Sequence, residues 1–217
     1  LIGFPVPILL ALLINEIKNV KFKKLIQNIT YIPNFLSVVV IVSMLTLFSN
    51  SDYGLFNKIT GLFGIAPMDF MSKPALFQPL YVFSNVWQFM GFNAIIYIAA
   101  LSSVDQELYE AASIDGATRL QKIIHISIPC IMSTIIVLFI MRIGSLMSVG
   151  FEKVYLMQNS VTLSASEVIS TFIYKNGIQK GQFSYSTAVG LFNSVINFVL
   201  LISANFASKK LTKTSLW

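Results

Sequence analysis

Four long apolar runs, at about residues 32–48, 79–101, 131–149 and 186–207, recur along this chain and constrain its fold more than any other feature. A helix needs about 20 apolar residues to cross the hydrocarbon of a bilayer, and each run approaches that length. Composition agrees: the 217 residues are 55% hydrophobic and 11% charged, with mean hydropathy +0.75, whereas soluble domains carry roughly a quarter charged residues. The reading is an all-α, polytopic transmembrane helix bundle that uses nearly the whole chain, a single membrane domain over 1–217.

The net charge of +6 does not point to nucleic acid. Lys and Arg gather in short segments beside the apolar runs, with no basic face interleaved with aromatics. They set topology instead, since cytoplasmic loops collect Lys and Arg. The single cysteine, Cys130, allows no internal disulfide and no cysteine cluster, and His125 has no second His or Cys near it in sequence, so no metal site is expected. Leu1 opens inside an apolar stretch with no basic n-region and no cleavage pattern, so a signal peptide is not indicated and the chain is expected to lack its N-terminus.

Residues 1–14 are apolar but too short to span, and Pro5 and Pro7 are expected to kink them. Lys18, Lys21, Lys23 and Lys24 then stand against the lone Glu16, which assigns 16–24 to the cytoplasm. The run 32–48 leads outside, the Gly- and Pro-rich segment 49–78 forms an external loop, and 79–101 returns. Residues 102–129, with Arg119 and Lys122, are cytoplasmic; 131–149 goes out, 150–185 is a second external loop, and 186–207 comes back to Lys209, Lys210 and Lys213. Four complete spans separate two basic ends, so the charge rule holds at both.

The segment 102–129 carries the most information. A first short helix is predicted from Asp105 to Ile114, with an acidic residue at its positive end and Gly116 as a left-handed stop. A second starts at Thr118, whose spacing to Gln121 is that of a capping box, and Leu120, Ile123, Ile124 and Ser127 recur on one stripe. Pro129 is expected to open the next span. Such a hairpin can rest on lipid, pack beneath its own bundle, or dock a partner. Ala111 and Ala112 are small enough for close approach, and Glu110 offers a carboxylate to a basic surface.

Glu110-Ala111-Ala112, Gly116 after three residues, and Ile126-Ser127-Ile128-Pro129 after nine more resemble the coupling (EAA) loop of ABC-importer permeases, E-A-A-x3-G-x9-I-x-L-P, with Ile128 in place of Leu. Asp115-Gly116-Ala117 is similar to the carbohydrate branch, of maltose-permease type. FPVPILLALLINEI, YIPNFLS at 31–37, MRIGSLMSVGFEKVYL at 141–156, GQFSYSTAVGLFNSVINF at 181–198 and the terminal SLW extend the likeness, across most of the chain, to the lipoprotein-associated, LplB-like oligosaccharide permeases. The resemblance implies a type I ABC-importer permease fold in a bacterial cytoplasmic membrane, with an N-terminal span and a half absent here. It implies a second homologous permease subunit, an ATPase dimer below and an extracellular sugar-binding protein above. Glu110, Ala111, Ala112, Asp115, Gly116 and Pro129 would form the ATPase coupling site. ATP and Mg would be used by the ATPase and no cofactor by this chain, which is consistent with the lack of a G-x-x-x-x-G-K-[ST] phosphate loop. The permease itself is not expected to be an enzyme.

Arg142 is the one charged side chain inside a predicted span, at a cost of roughly 2.5–3.5 kcal/mol on insertion scales if left in lipid. It belongs either on the substrate path near Ser145 or in a pair with Glu152. Asn193 and Asn197, with Gly190, give the last span a narrow polar and small stripe, either cavity wall or close helix packing. Gln88, Asn93 and Tyr97, with Trp87, offer hydrogen bonds and stacking faces to a sugar, or are packing and interfacial residues. An ion-coupled transporter or channel is the alternative, but its relay acids are missing, because every Asp and Glu falls in a predicted loop. A membrane-embedded enzyme would need paired carboxylates or metal ligands at bilayer depth, and none is visible.

Overall fold

The computed structural model describes residues 2–212 and 214–216, and every regular element among them is helical. Leu1, Lys213 and Trp217 lie outside the described residues, so the basic charge expected at 213 and the last residue of SLW are not placed. Two helices, Pro74–Ser102 and Phe183–Lys210, are long and apolar enough to cross a membrane alone, and up to four crossings result if two bent helix pairs each count as one. The chain falls into two compact units: residues 1–35, 86–145 and 199–217, and residues 36–85 and 146–198.

In the first unit, α1 (Pro5–Asn15) starts at its proline instead of kinking there. Prolines in a first turn lack only an N–H that has no helical partner anyway. The segment 20–31 expected to belong to a loop and the approach to a span is a helix, α2 (Val20–Tyr31), because the Asn19 side chain accepts from the N–H groups of Lys21 and Phe22 at 3.0 and 3.1 Å. After a 3₁₀ turn at Ile32–Phe35, α3 (Val38–Ser49) is started by Ser37, which accepts from Val40 N at 3.3 Å. The continuous span predicted over 32–48 is therefore interrupted at Pro33 and re-capped at Ser37. Beyond α4 (Leu55–Gly61), α5 (Pro74–Ser102) begins five residues before Pro79, which sits inside it.

The core of the first unit joins Ala11 and Leu12 of α1, Ala94, Tyr97 and Leu101 of α5, and Ile131. Alanines let helix backbones approach where lipid supplies no hydrophobic push of its own. Gly91 does the same more sharply: a Cβ there would lie 2.1 Å from the Thr30 carbonyl oxygen of α2.

The segment 102–130 comprises α6 (Gln106–Ile114), α7 (Arg119–Lys122), a π-helical stretch at Ile123–Ser127 and α8 (Ile128–Cys130). α9 (Met132–Gly144) follows a 64° bend at Ile131. Pro129 therefore ends the hairpin's second limb and does not open the next span. Its missing N–H and its ring disturb the bond to the carbonyl four residues back, and the widened Ile128 N to Ile123 O bond accommodates it.

The second unit holds α3, α4 and the N-terminal part of α5, then α10 (Phe151–Met157), α11 (Leu163–Ser166), α12 (Ile169–Ile173) and a π-helical stretch at Tyr174–Gln179, before α13 (Phe183–Thr212) runs on into the first unit. The predicted loop 150–185 is thus largely helical. Asn57 ties the first loop: its Nδ2 donates to Asn50 O and Met68 O at 2.8 and 2.7 Å, and its Oδ1 accepts from Met68 N at 2.9 Å. α10 packs on α3 and buries Lys153 with Val154 and Met157.

Candidate coupling site

α6 is fixed at both ends by its own sequence. Asp105 accepts from Glu107 N at 3.0 Å at the start. At the end, Ala117 N donates to Ala112 O at 2.9 Å and Gly116 N to Ser113 O at 3.2 Å, with Gly116 at φ +77°. These two bonds make a Schellman stop, which needs a left-handed residue at that position. One residue later the second limb is started by a complete capping box, with Gln121 N donating to Thr118 Oγ1 at 3.4 Å and Thr118 N to Gln121 Oε1 at 2.7 Å.

Two side-chain bonds hold the limbs together. Tyr109 Oη lies 2.9 Å from Ser127 Oγ, itself 1% exposed, and Lys122 Nζ donates to Ser113 Oγ. His125 is exposed, its Nδ1 3.0 Å from Gln121 O. Inward bonding through Tyr109 and Ser113 leaves Glu107, Glu110, Ala111 and Ile114 on the exposed side of α6, at i, i+3, i+4 and i+7. Ile114 is 87% exposed, the highest value among the large apolar side chains of the described residues.

Ala111 and Ala112 are therefore divided. Ala111 is exposed, whereas Ala112 is half-buried and lines a depression of about 340 Å3 with Asp115, Gly116, Ala117, Gln121, Lys122 and His125. The predicted apolar stripe also splits: Ser127 is buried and Ile123 half-buried, while Leu120 and Ile124 remain 64% and 48% exposed. The π-helical stretch rotates the residues away from the regular 3.6-residue spacing. Ile114 was not singled out from sequence, although its distance from Glu110 and Ala111 places it on their face.

Charge favours α6 at its start, with Asp105 and Glu107, and opposes it at its end. Asp115 caps the C-terminus and no basic residue occupies the last turn. A negative charge at that end opposes the helix dipole, a cost of about 0.3–1 kcal/mol. Glu110, Asp115 and Glu107 are all exposed and none forms an ion pair among the described residues, where the one bridge is Lys175 to Glu167 at 3.6 Å.

The residues predicted for a substrate path differ in burial and are divided between the two units. Tyr97 is 3% exposed within the core of the first unit, so its ring is packing and is not open to a sugar. Gln88 is likewise buried, at 2%, while Asn93 is exposed. Arg142 is exposed and has no ion pair among the described residues, Glu152 included. Ser145 turns its hydroxyl back to the carbonyls of Met141 and Arg142 at 3.4 and 3.2 Å. In the second unit Asn197 holds the turn before α10, accepting from Met147 N at 3.1 Å and donating to Ser148 Oγ at 3.0 Å, whereas Asn193 Oδ1 is buried with no partner among the described residues. Burial of Lys153, 4% exposed, pulls its ammonium down to about 8.

Comparison with known proteins gives these features a context. The family described as binding-protein-dependent transport system inner membrane component matches residues 3–213. The chain is 43% identical over 217 residues to Protein LplB of Bacillus subtilis (strain 168), covering 100% of this chain and 68% of that one. It is 44% identical over 209 residues to the polygalacturonan/rhamnogalacturonan transport system permease protein YteP of the same organism, covering 96% and 65%. The chain thus spans about two thirds of the length of these curated relatives. Among solved structures, a bacterial alginate ABC transporter in complex with an alginate pentasaccharide-bound periplasmic protein superposes with a TM-score of 0.95 at 41% identity, over 100% of this chain and 75% of that one.

Proposed function

The chain belongs to the family of binding-protein-dependent transport system inner membrane components, and from that premise we propose that it is a permease subunit of an ATP-driven importer for an oligosaccharide. An extracellular binding protein delivers the sugar, a second homologous permease completes the path, and an ATPase dimer, using ATP and Mg, docks on the α6 hairpin. The complex sits in a bacterial cytoplasmic membrane with residues 16–24 and 102–129 inside. The sugars in the names of two relatives, polygalacturonan and alginate, support an oligosaccharide cargo.

The observation that carries this reading is the hairpin. Glu110, Ala111 and Ile114 present an acid, a small residue and an exposed apolar knob on one face, and Asp115 at the C-terminal end weakens the helix it caps. A basic cleft with an apolar floor on the ATPase answers all three, and surface acids cost the helix less once paired. Because Tyr109–Ser127 and Lys122–Ser113 lock α6 to the second limb, a push on α6 moves the limb as one body. That limb bends by 64° at the buried Ile131 and continues as α9, so the stroke reaches a membrane helix directly.

The test is reconstitution of the complete complex in proteoliposomes. Glu110→Lys is expected to abolish ATP-driven uptake and to release the ATPase while the permease pair stays inserted. Unchanged uptake and ATPase retention in Glu110→Lys contradict the docking role.

A further inference from the structure

Around α2 (Val20–Tyr31) the side chains fall into three stripes, each spaced i, i+3, i+7 and each shifted by one residue from the next. Lys21, Lys24 and Asn28 are exposed, Phe22, Leu25 and Ile29 are exposed, and Lys23, Ile26 and Thr30 are half-buried. At about 100° per residue the stripes lie a little over a quarter-turn apart. The third is the face held by the protein: a Cβ on Gly91 of α5 would lie 2.1 Å from the Thr30 carbonyl oxygen and 2.9 Å from the Thr30 Cβ, and the chain leaves α2 through the buried Pro33.

The other two stripes carry groups that this chain leaves uncompensated. Lys18, Lys21 and Lys24, exposed at successive steps of three, form no ion pair among the described residues. They repel one another, and they gather at the positive end of the helix, whose first turn holds no acidic residue. The backbone there is already satisfied, since Asn19 Oδ1 accepts from Lys21 N and Phe22 N; it is the side-chain charge that calls for an anion. One stripe away, Phe22, Leu25 and Ile29 are each more than half exposed. An apolar stripe beside a row of lysines fits the boundary between acyl chains and headgroups, with the lysine stems along the apolar side and their ammonium groups in the polar layer.

We propose that α2 is a binding site for anionic phospholipid, with Lys21 and Lys24 on the headgroup phosphate, Lys18 beside them, and Phe22, Leu25 and Ile29 against the acyl chains. The lysines select the charge: a zwitterionic lipid fills the apolar stripe equally well but brings its own cation to the ammonium groups. Lipid is also the occupant that asks for no register, whereas a protein would have to present an acidic row and an apolar row at matching spacing. The site needs the chain only to be a membrane component, which the family match supplies, and needs neither a cargo nor an ATPase. Each lysine near an anionic surface is worth about fivefold in binding.

A reporter on the apolar stripe tests this in the purified complex that contains the chain. On a Cys130→Ser background, Leu25→Cys or Ile29→Cys carries a benzophenone, and the complex is reconstituted in phosphatidylcholine vesicles with a third of the lipid replaced by phosphatidylglycerol. Illumination is expected to give phospholipid adducts in which phosphatidylglycerol is enriched at least fivefold over its share of the vesicle. Lys21→Gln with Lys24→Gln is expected to bring the enrichment to within twofold of that share, whereas Lys58→Gln with Lys73→Gln, at two exposed lysines of the segment 49–78, is expected to leave it unchanged. Adducts that match the bulk composition with all lysines intact, or no adduct at either position, overturn the proposal. An equal loss in both double variants also overturns it, since net charge alone then accounts for the enrichment. Adducts with another protein subunit in place of lipid, or loss of a subunit from the complex carrying Lys21→Gln and Lys24→Gln, overturn it as well and assign the face to a protein interface.

Discussion

Gly116 carries the hairpin turn on backbone conformation alone. At φ +77° a Cβ would meet nothing within 4 Å, so its replacement strains the chain without causing a clash. Gly116→Ala is expected to cost about 1–2 kcal/mol of hairpin stability and to lower uptake partially, whereas Gly116→Pro, with φ fixed near −65°, is expected to abolish it; uptake in cells expressing each variant measures the difference. Lys153 supplies a second residue-level test, through pH. Burial lowers its pKa from 10.5 to about 8, so between those values the unfolded chain holds a proton that the folded chain has released. Stability therefore rises with pH from about 8 to 10.5 and gains nothing from this group below about 8. Thermal unfolding of the purified protein across that window is expected to show the rise, and Lys153→Met to remove it.

At the scale of elements, close approach decides which helices are held. Gly91 faces a backbone carbonyl of α2, which has no freedom to retreat, whereas Gly144 faces the end of the Leu201 side chain, which rotates. Gly91→Ala is expected to destabilise by about 1–3 kcal/mol, the usual range for overpacking, and Gly144→Ala by less, as read from melting of the detergent-solubilised protein. This contact also explains what the sequence left hidden. The long helices α5 and α13 follow from sustained hydropathy, and the hairpin was legible to single residues, because Asp105, Gly116, Thr118 and Gln121 act locally. The break between α2 and α3 was not, since hydropathy continues through Pro33 and only the cap at Ser37 marks the new start. The helices within 150–185 were missed for the opposite reason. α10 and α12 are 7 and 5 residues long, too short for periodicity, and are held by tertiary bonds such as Gln158 Nε2 to Ser166 O at 2.7 Å.

For the whole molecule, structure was legible where a short motif acts locally and illegible where it depends on which way a side chain faces. Glu110, Ala111 and Gly116 stand where their spacing placed them, while Tyr97, an equally plausible sugar contact by composition, proved to be core. The exposure of Ile114 emerged only from the fold, because the bond from half-buried Tyr109 to buried Ser127 had to be known before the opposite face could be. The account stands on that face meeting an ATPase. On a background with Cys130, which is exposed, replaced by Ser, Ala111→Cys in the assembled, transporting complex is paired with single cysteines along the ATPase cleft and oxidised. A covalent adduct between the two subunits, changing in yield when ATP is added, is the predicted result; a complex that still transports yet gives no adduct from position 111 to any ATPase position contradicts it.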